Sequence, residues 1–322
     1  MKNNLIALCL LLLSMIAMAQ PDKDALRDSK WVLGYGVEDL FDEEGNMLID
    51  FLADTMQINT LYTDMNIMET NASICDTLGA LLFYTNGAEV RDRSHSLMVG
   101  WDTLNPGIMV DEYFEYGYRP PQGTLILPQP GNDSLYYLFH SSFNYFTQLS
   151  QFIIGDYLYY TLIDINGNNG LGEIIDLNHV IVDDLLDYGK ISACRHANGR
   201  DWWVIMHKFE SPSHYIFLLD PQGVHNMGIV SGTTTITKGL GQGVFSPDGS
   251  KYALMQAYNV ELGNFVYIYN FDRCTGVLEE IAYDNIIDTA YCGGAAISPN
   301  SRYLFIFLRG VIPINTTFGQ PT

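Results

Sequence analysis

The chain has 322 residues, 48% of them hydrophobic and 13% aromatic, while only 16% are charged and the formal net charge is −21. That length can bury a large core, as one big domain or two ordinary ones. The acidic balance excludes phosphate-driven nucleic-acid binding, which needs clusters of Lys and Arg, and disfavours anionic lipid surfaces. Scarce charge beside 21 Tyr and 16 Phe suits packed strands better than exposed helices.

The chain opens with a basic start and a short apolar run, then Ala17-Met18-Ala19 before Gln20. This is the pattern of a secretory signal peptide over 1–19 with an A-x-A cleavage site. The run is short for a membrane span, and no charged stop-transfer flank follows it. Cys9 follows Leu8 too early in that run to be a lipidated cysteine. An exported protein is expected, secreted or at the cell surface, with the periplasm as the other compartment. No transmembrane segment is expected after cleavage. Residues 20–322 read as a single domain. Its cysteines, Cys75, Cys194, Cys274 and Cys292, are scattered and form no C-x-x-C pair. They are expected as buried free thiols or one optional bridge, without a zinc site.

In chain order, five segments share one grammar: "ASICDTLGALLFYTNG" from Ala72, "TLILPQPGNDSLYYLFH" from Thr124, "ISACRHANGRDWWVIMHK" from Ile191, "GVFSPDGSKYALMQ" from Gly243 and "AAISPNSRYLFIF" from Ala295. Each has a strand of mainly small residues, a tight turn, then an aromatic strand. Gly79, Gly131, Gly199, Gly249 and Ser301 take equivalent turn positions, spaced by 52, 68, 50 and 52 residues. A period near fifty marks a repeat array. In three units a second apolar run follows, from Tyr157, His214 and Phe265, and then a weaker, partly polar strand. Small residues suit strands crowded round an axis, and continuous apolar runs suit strands covered on both faces by neighbouring sheets. The expected fold is therefore all-β: a β-propeller of four-stranded antiparallel blades, about five to seven in number. Residues 31–71 can supply strands to close the ring or part of another blade. The last unit ends where its third strand should begin, so the propeller reads as incomplete at its C-terminus.

The ordered motifs "WVLGYGVEDLF" (Trp31, Gly34, Phe41), "ASICDTLGALLFYTNGAEV", "LPQPGNDSLYYLF", "GLGEI", "KISACRHANGRDWWVIMH", "FSPDGSKYAL" and "ISPNSRYLFIF" resemble the N-terminal propeller module of large secreted and cell-surface proteins of the Bacteroidota, the kind exported by type IX secretion. The module is similar in appearance to WD-repeat and YVTN-type blades. The resemblance implies a surface module, often followed by adhesive domains and a sorting domain, and transfers no catalytic residue. It also gives meaning to a recurrent Asp-(Ser/Thr)-apolar pattern, similar to the O-glycosylation acceptor of that bacterial group. The pattern falls at Thr55, Thr77, Thr103, Ser134 and Thr289, where Asx and Ser/Thr turns produce the same sequence.

The densest polar cluster holds His196, Arg200, Asp201 and Trp203. It reads either as a binding site, with His196 and Asp201 as base and orienter, or as side chains that stitch a hairpin turn. "DINGNNGLGE" has Asp164, Asn166 and Asn168 in calcium-loop positions. However, Asn169 replaces the required Gly, and Ile175 stands where a bidentate Glu belongs, so a Gly-rich turn is expected. No cofactor is expected. The main functional reading is a non-enzymatic interaction or display module that binds protein or glycan at the cell surface. The alternative is a propeller enzyme (hydrolase, lyase or quinone-dependent dehydrogenase) at the channel mouth. That alternative predicts His, Asp or Arg from several blades converging on one pocket.

Overall fold

The computed structural model describes residues 24–34, 46–52, 55–146, 152–259, 263–286 and 290–310. An N-terminal turn leads into a three-stranded sheet of β1 (Lys30–Leu33), β2 (Asn46–Asp50) and β3 (Gln57–Leu61). Five antiparallel meanders follow in chain order. They are β4 (Ala72–Cys75), β5 (Leu81–Thr85) and β6 (Val90–Asp92); β7 (Thr124–Pro128), β8 (Leu135–Phe146), β9 (Phe152–Asp164) and β10 (Glu173–Leu186); β11 (Ser192–Arg195), β12 (Trp202–His207), β13 (Ser213–Asp220) and β14 (Gly223–Ser231); β15 (Gly243–Phe245), β16 (Lys251–Asn259), β17 (Gly263–Asp272) and β18 (Val277–Ile286); and β19 (Ala290–Ile297) with β20 (Leu304–Gly310). A short helix, α1 (Ile108–Tyr113), lies in the connection after β6.

These five sheets are the five sequence units, and their architecture is the expected all-β propeller. All five equivalent turn residues have positive φ, from +83° at Gly79 to +55° at Ser301. Glycine reaches that region without a Cβ penalty, so four of the five positions are Gly. The same backbone bond closes four of the turns: Gly79, Gly199, Gly249 and Ser301 each donate N–H to the carbonyl three residues earlier. The 68-residue spacing arises in the sheet of β7–β10, whose strands β8, β9 and β10 run to 12, 13 and 14 residues.

The core lies between sheets. Ile74, Phe83, Leu138 and Ile163 pack sheet on sheet, as do Phe139, Leu158, Val204 and Phe217, and then Ile205, Ile216, Leu254 and Tyr267. Middle strands are therefore covered on both faces and need no polar side. The outer strand β14 instead reads polar and exposed over His225–Met227. The inner strands of small residues neighbour one another: β4 beside β7, β11 beside β15, and β15 beside β19.

The first sheet is not another copy of the repeat. Cys75 N–H donates to the Arg27 carbonyl, and Ser73 Oγ donates to the Lys30 carbonyl, so β1 runs counter to β4. Val32, Leu61, Met65 and Ile67 pack it onto Tyr84. Phe41 lies outside the described residues.

Candidate functional site

The inner strands enclose two adjoining axial cavities of about 570 and about 580 Å³, which share Leu125, Ala193 and Trp202 in their walls. The second opens where β4, β7 and β11 end, and the N-terminal turn of residues 24–29 forms its rim. Asp24, Arg27, Asp28 and Trp31 all line it.

That rim joins three sheets. Arg27 is buried and donates from Nε to Asp24 Oδ1 (2.5 Å), from Nη1 to Tyr136 Oη, and from Nη2 to Asp133 Oδ1 (3.3 Å). Arg195, the last residue of β11, donates to the other Asp24 oxygen and to the Arg200 carbonyl. Its guanidinium stacks 3.6 Å from the centroid of the Trp202 ring, a cation–π contact that fixes both. Charged groups from separate segments are thus tied together through Asp24 and Arg27 at this rim.

The two acids of the turn respond oppositely. Burial would raise Asp24, but the hydrogen bond from Arg27 and the charges of Arg195 and Arg27 outweigh it and hold the carboxyl below its ordinary range. Asp28 sits at the rim with its outer face in solvent, yet the protein around it raises its pKa, only partly offset by the hydrogen bond from Trp31 Nε1 (2.9 Å). Trp31 itself is 43% exposed and meets Phe51 edge-on at 5.0 Å. Two buried polar atoms of the cavity wall, Thr124 Oγ1 and Trp202 Nε1, have no protein partner.

His196, Arg200, Asp201 and Trp203 lie together on the β11–β12 hairpin. Asn198 N–H donates to His196 Nδ1 (3.0 Å), while Arg200 and Asn198 both donate to Asp201. Trp203 is buried and donates from Nε1 to the Arg273 carbonyl (2.8 Å). These side chains stitch the turn, and the turn's Arg200 carbonyl anchors Arg195. The 164–175 segment is a tight turn with Asn168 and Asn169 at positive φ, as a Gly-rich blade turn requires. Thr55 and Thr77 are exposed, Thr103 and Ser134 are half-buried, and Thr289 lies outside the described residues. Cys75 and Cys194 are buried free thiols, whereas Cys274 is exposed. Among the described residues no group of three or more His, Cys, Asp or Glu side chains is placed to hold a metal ion, and no helix is long and apolar enough to cross a membrane.

Sequence reasoning missed the rim, because Asp24, Arg27 and Asp28 precede the repeat and carry no motif, and Arg195 was not among the candidate residues. The signal available was the exception to small residues at the end of β11.

No family model matches the chain, and no curated protein does. Among solved structures it is similar to a "putative 6-phosphogluconolactonase" from Bacteroides fragilis (12% identity, TM-score 0.38), covering 87% of this chain and 88% of that one. A Bacteroides uniformis protein of the same description gives 14% identity and a TM-score of 0.40, over 86% and 88% of the two chains. The periplasmic gluconolactonase of Pseudomonas aeruginosa gives 12% and 0.34, over 75% of this chain and 63% of that one, so the chain spans less than two thirds of its length. Such likeness concerns fold and assigns no residue a role. The neighbours' descriptions name a hydrolytic activity, which stands against the non-enzymatic display module as the main reading and on the side of its enzyme alternative, taken up below as a proposal. In the structure Asp24 and Arg27 of the N-terminal turn line the second cavity and Arg195 lines the first, while His196 stays in its hairpin.

Proposed function

We propose that this chain is a propeller enzyme of the hydrolase class, working at the axial mouth on a small ester or lactone. The observation that carries the reading is a pair of carboxylates from one turn at the wall of a cavity of about 580 Å³, Asp24 tied to Arg27 and Arg195 and Asp28 to Trp31 Nε1. Environments that separate two acids in this way divide the roles of charge holder and proton carrier.

In this reading Asp28 takes a proton from water as the water oxygen bonds to the substrate carbonyl carbon and the carbonyl electron pair moves onto its oxygen. When that pair returns, the C–O bond to the leaving alkoxide breaks and the alkoxide takes the proton from Asp28. The products are an acid and an alcohol, joined in one molecule when the substrate is a lactone. Arg195, held by Asp24 and stacked on Trp202 in the wall that the two cavities share, supplies positive charge from the adjoining cavity toward the developing oxyanion. Lactones enter as first substrates because structural neighbours bear that activity in their descriptions. The signal-peptide pattern supports action outside the cytoplasm, and the ordered motifs support kinship with exported Bacteroidota modules.

The test is glucono-δ-lactone hydrolysis in a pH-stat, with a panel of simple esters beside it. Acid release above the spontaneous rate is expected, and Asp28→Asn is expected to lower kcat roughly 100-fold or more. A folded protein that accelerates none of these substrates defeats the proposal.

A further inference from the structure

Between the sheet of β11–β14 and the sheet of β15–β18, the chain buries more polar groups than its own side chains satisfy. Asp187, Lys190, His207, His214, Tyr252, Gln256 and Tyr269 are all at most 1% exposed. Part of this set is closed. Asp187 accepts from Tyr188 N–H (2.8 Å), Lys190 Nζ (2.9 Å), His207 Nδ1 (3.0 Å) and Gln256 Nε2. Lys190 also donates to the Tyr188 and Gly239 carbonyls, at 3.2 and 2.8 Å.

The other part is open. Both ring nitrogens of His214, the hydroxyls of Tyr252 and Tyr269, and Oε1 of Gln256 have no protein partner. The three rings are neighbours, and Gln256 joins them through Asp187 and His207. The His214 ring centroid is 5.4 Å from that of Tyr269, 5.8 Å from Tyr252 and 5.1 Å from His207. Tyr252 and Tyr269 are cross-strand partners, and their rings stand 6.1 Å apart. Burial holds His214 well below the ordinary imidazole range, with the His207 ring adding to the shift, so a neutral ring offers one donor and one acceptor.

Buried polar atoms in folded proteins ordinarily have partners, so five open ones in one layer call for an explanation. Direct pairing among them is not made, and a bridging molecule that both donates and accepts would satisfy them. We propose that this interface is a hydrated joint, in which ordered water molecules bridge His214, Tyr252, Tyr269 and Gln256 and complete the Asp187–Lys190–His207 network. Water fits because the open set mixes donors and acceptors: hydroxyl and imidazole protons to give, Gln256 Oε1 and an imidazole lone pair to receive. Internal waters of this kind make about three hydrogen bonds each. The inference is independent of the chemistry at the axial mouth.

Tyr269→Phe and His214→Phe decide it, each examined by thermal unfolding and by crystallography at better than 1.5 Å. In a wet joint, each replacement strands the waters it held, and Tm falls by roughly 2–4 °C. The double variant then loses less than the sum of the two, because both share the same waters. In a dry joint, removing an orphan raises Tm, and that result overturns the proposal. Density for the side chains alone, with no solvent between them, overturns it as well. If His214→Phe fails to fold, Tyr269→Phe still answers, since it deletes a single oxygen and keeps the ring.

Discussion

Asp187→Ala removes the one carboxylate on which four donors converge, three of them side chains from different parts of two sheets. Lys190 is fully buried and keeps only two carbonyls, while Gln256 Nε2 and His207 Nδ1 lose their acceptor. Breaking a buried ion pair from one side costs about 3–5 kcal/mol, because the other charge remains. At about 2–4 °C of Tm per kcal/mol for a large domain, this is a fall of roughly 6–20 °C. Urea unfolding followed by tryptophan fluorescence gives the free energy, and Asp187→Asn separates lost charge from lost shape. The pH dependence gives a second reading. Burial would raise the Asp187 carboxyl, but Lys190 and His207 outweigh it and hold it low, so its contribution is present above the unfolded value of 3.8 and fades as pH falls through the lower folded value. The variant's deficit is therefore largest near neutrality and shrinks in strong acid. A loss below about 1 kcal/mol with an unchanged m-value refutes the argument, since it means that the cation needs no carboxylate.

Further outcomes follow from single positions. Gly199 and Gly189 share positive φ, but a Cβ on Gly199 meets nothing within 4 Å, whereas one on Gly189 falls 2.0 Å from the Pro121 carbonyl oxygen. Gly199→Ala is expected to cost about 1 kcal/mol and Gly189→Ala roughly 3 or more, and equal losses in chemical denaturation contradict the reading. His140 is buried between Asn105 and Thr161, and burial lowers its pKa to about 3. The unfolded chain then takes up a proton that the folded one refuses, so stability drops between pH 6.5 and about 3, and His140→Gln should flatten that slope in pH-dependent melts. Burial pushes the Cys194 thiol up to about 12, so a thiol reagent should modify exposed Cys274 in the native protein and reach Cys194 only after unfolding.

The repeat was legible because its turns demand a backbone that few residues tolerate. Gly79, Gly131, Gly199 and Gly249 declare themselves in sequence, and Ser301 follows by register even though it lacks the glycine signature. The order of small, aromatic and polar strands was legible for a similar reason, since each position round the axis admits a different size. The mouth was not. Asp24 and Arg27 gain their meaning from Tyr136, Asp133 and Arg195, more than a hundred residues away, and no local pattern encodes such distances. The hairpin at His196 misleads in the opposite way. Turn chemistry and site chemistry use the same residues, and only hydrogen-bond partners separate them. The first sheet was expected only as strands within residues 31–71, since its strands are short and β3 is almost wholly exposed, which left hydrophobic periodicity little to register.

The N-terminal turn also sets a clock. It is the first described part of the chain to be made, yet one end of its ion pair network needs Tyr136 and the other needs Arg195. Arg27 finds its full set of partners only when β8 and the turn before it are in place, and Asp24 gains Arg195 only when β11 has docked. Closing so long a loop is slow compared with forming any hairpin of the repeat. The collar at the mouth is thus a late event by construction, and the chain's opening segment works as its last fastener.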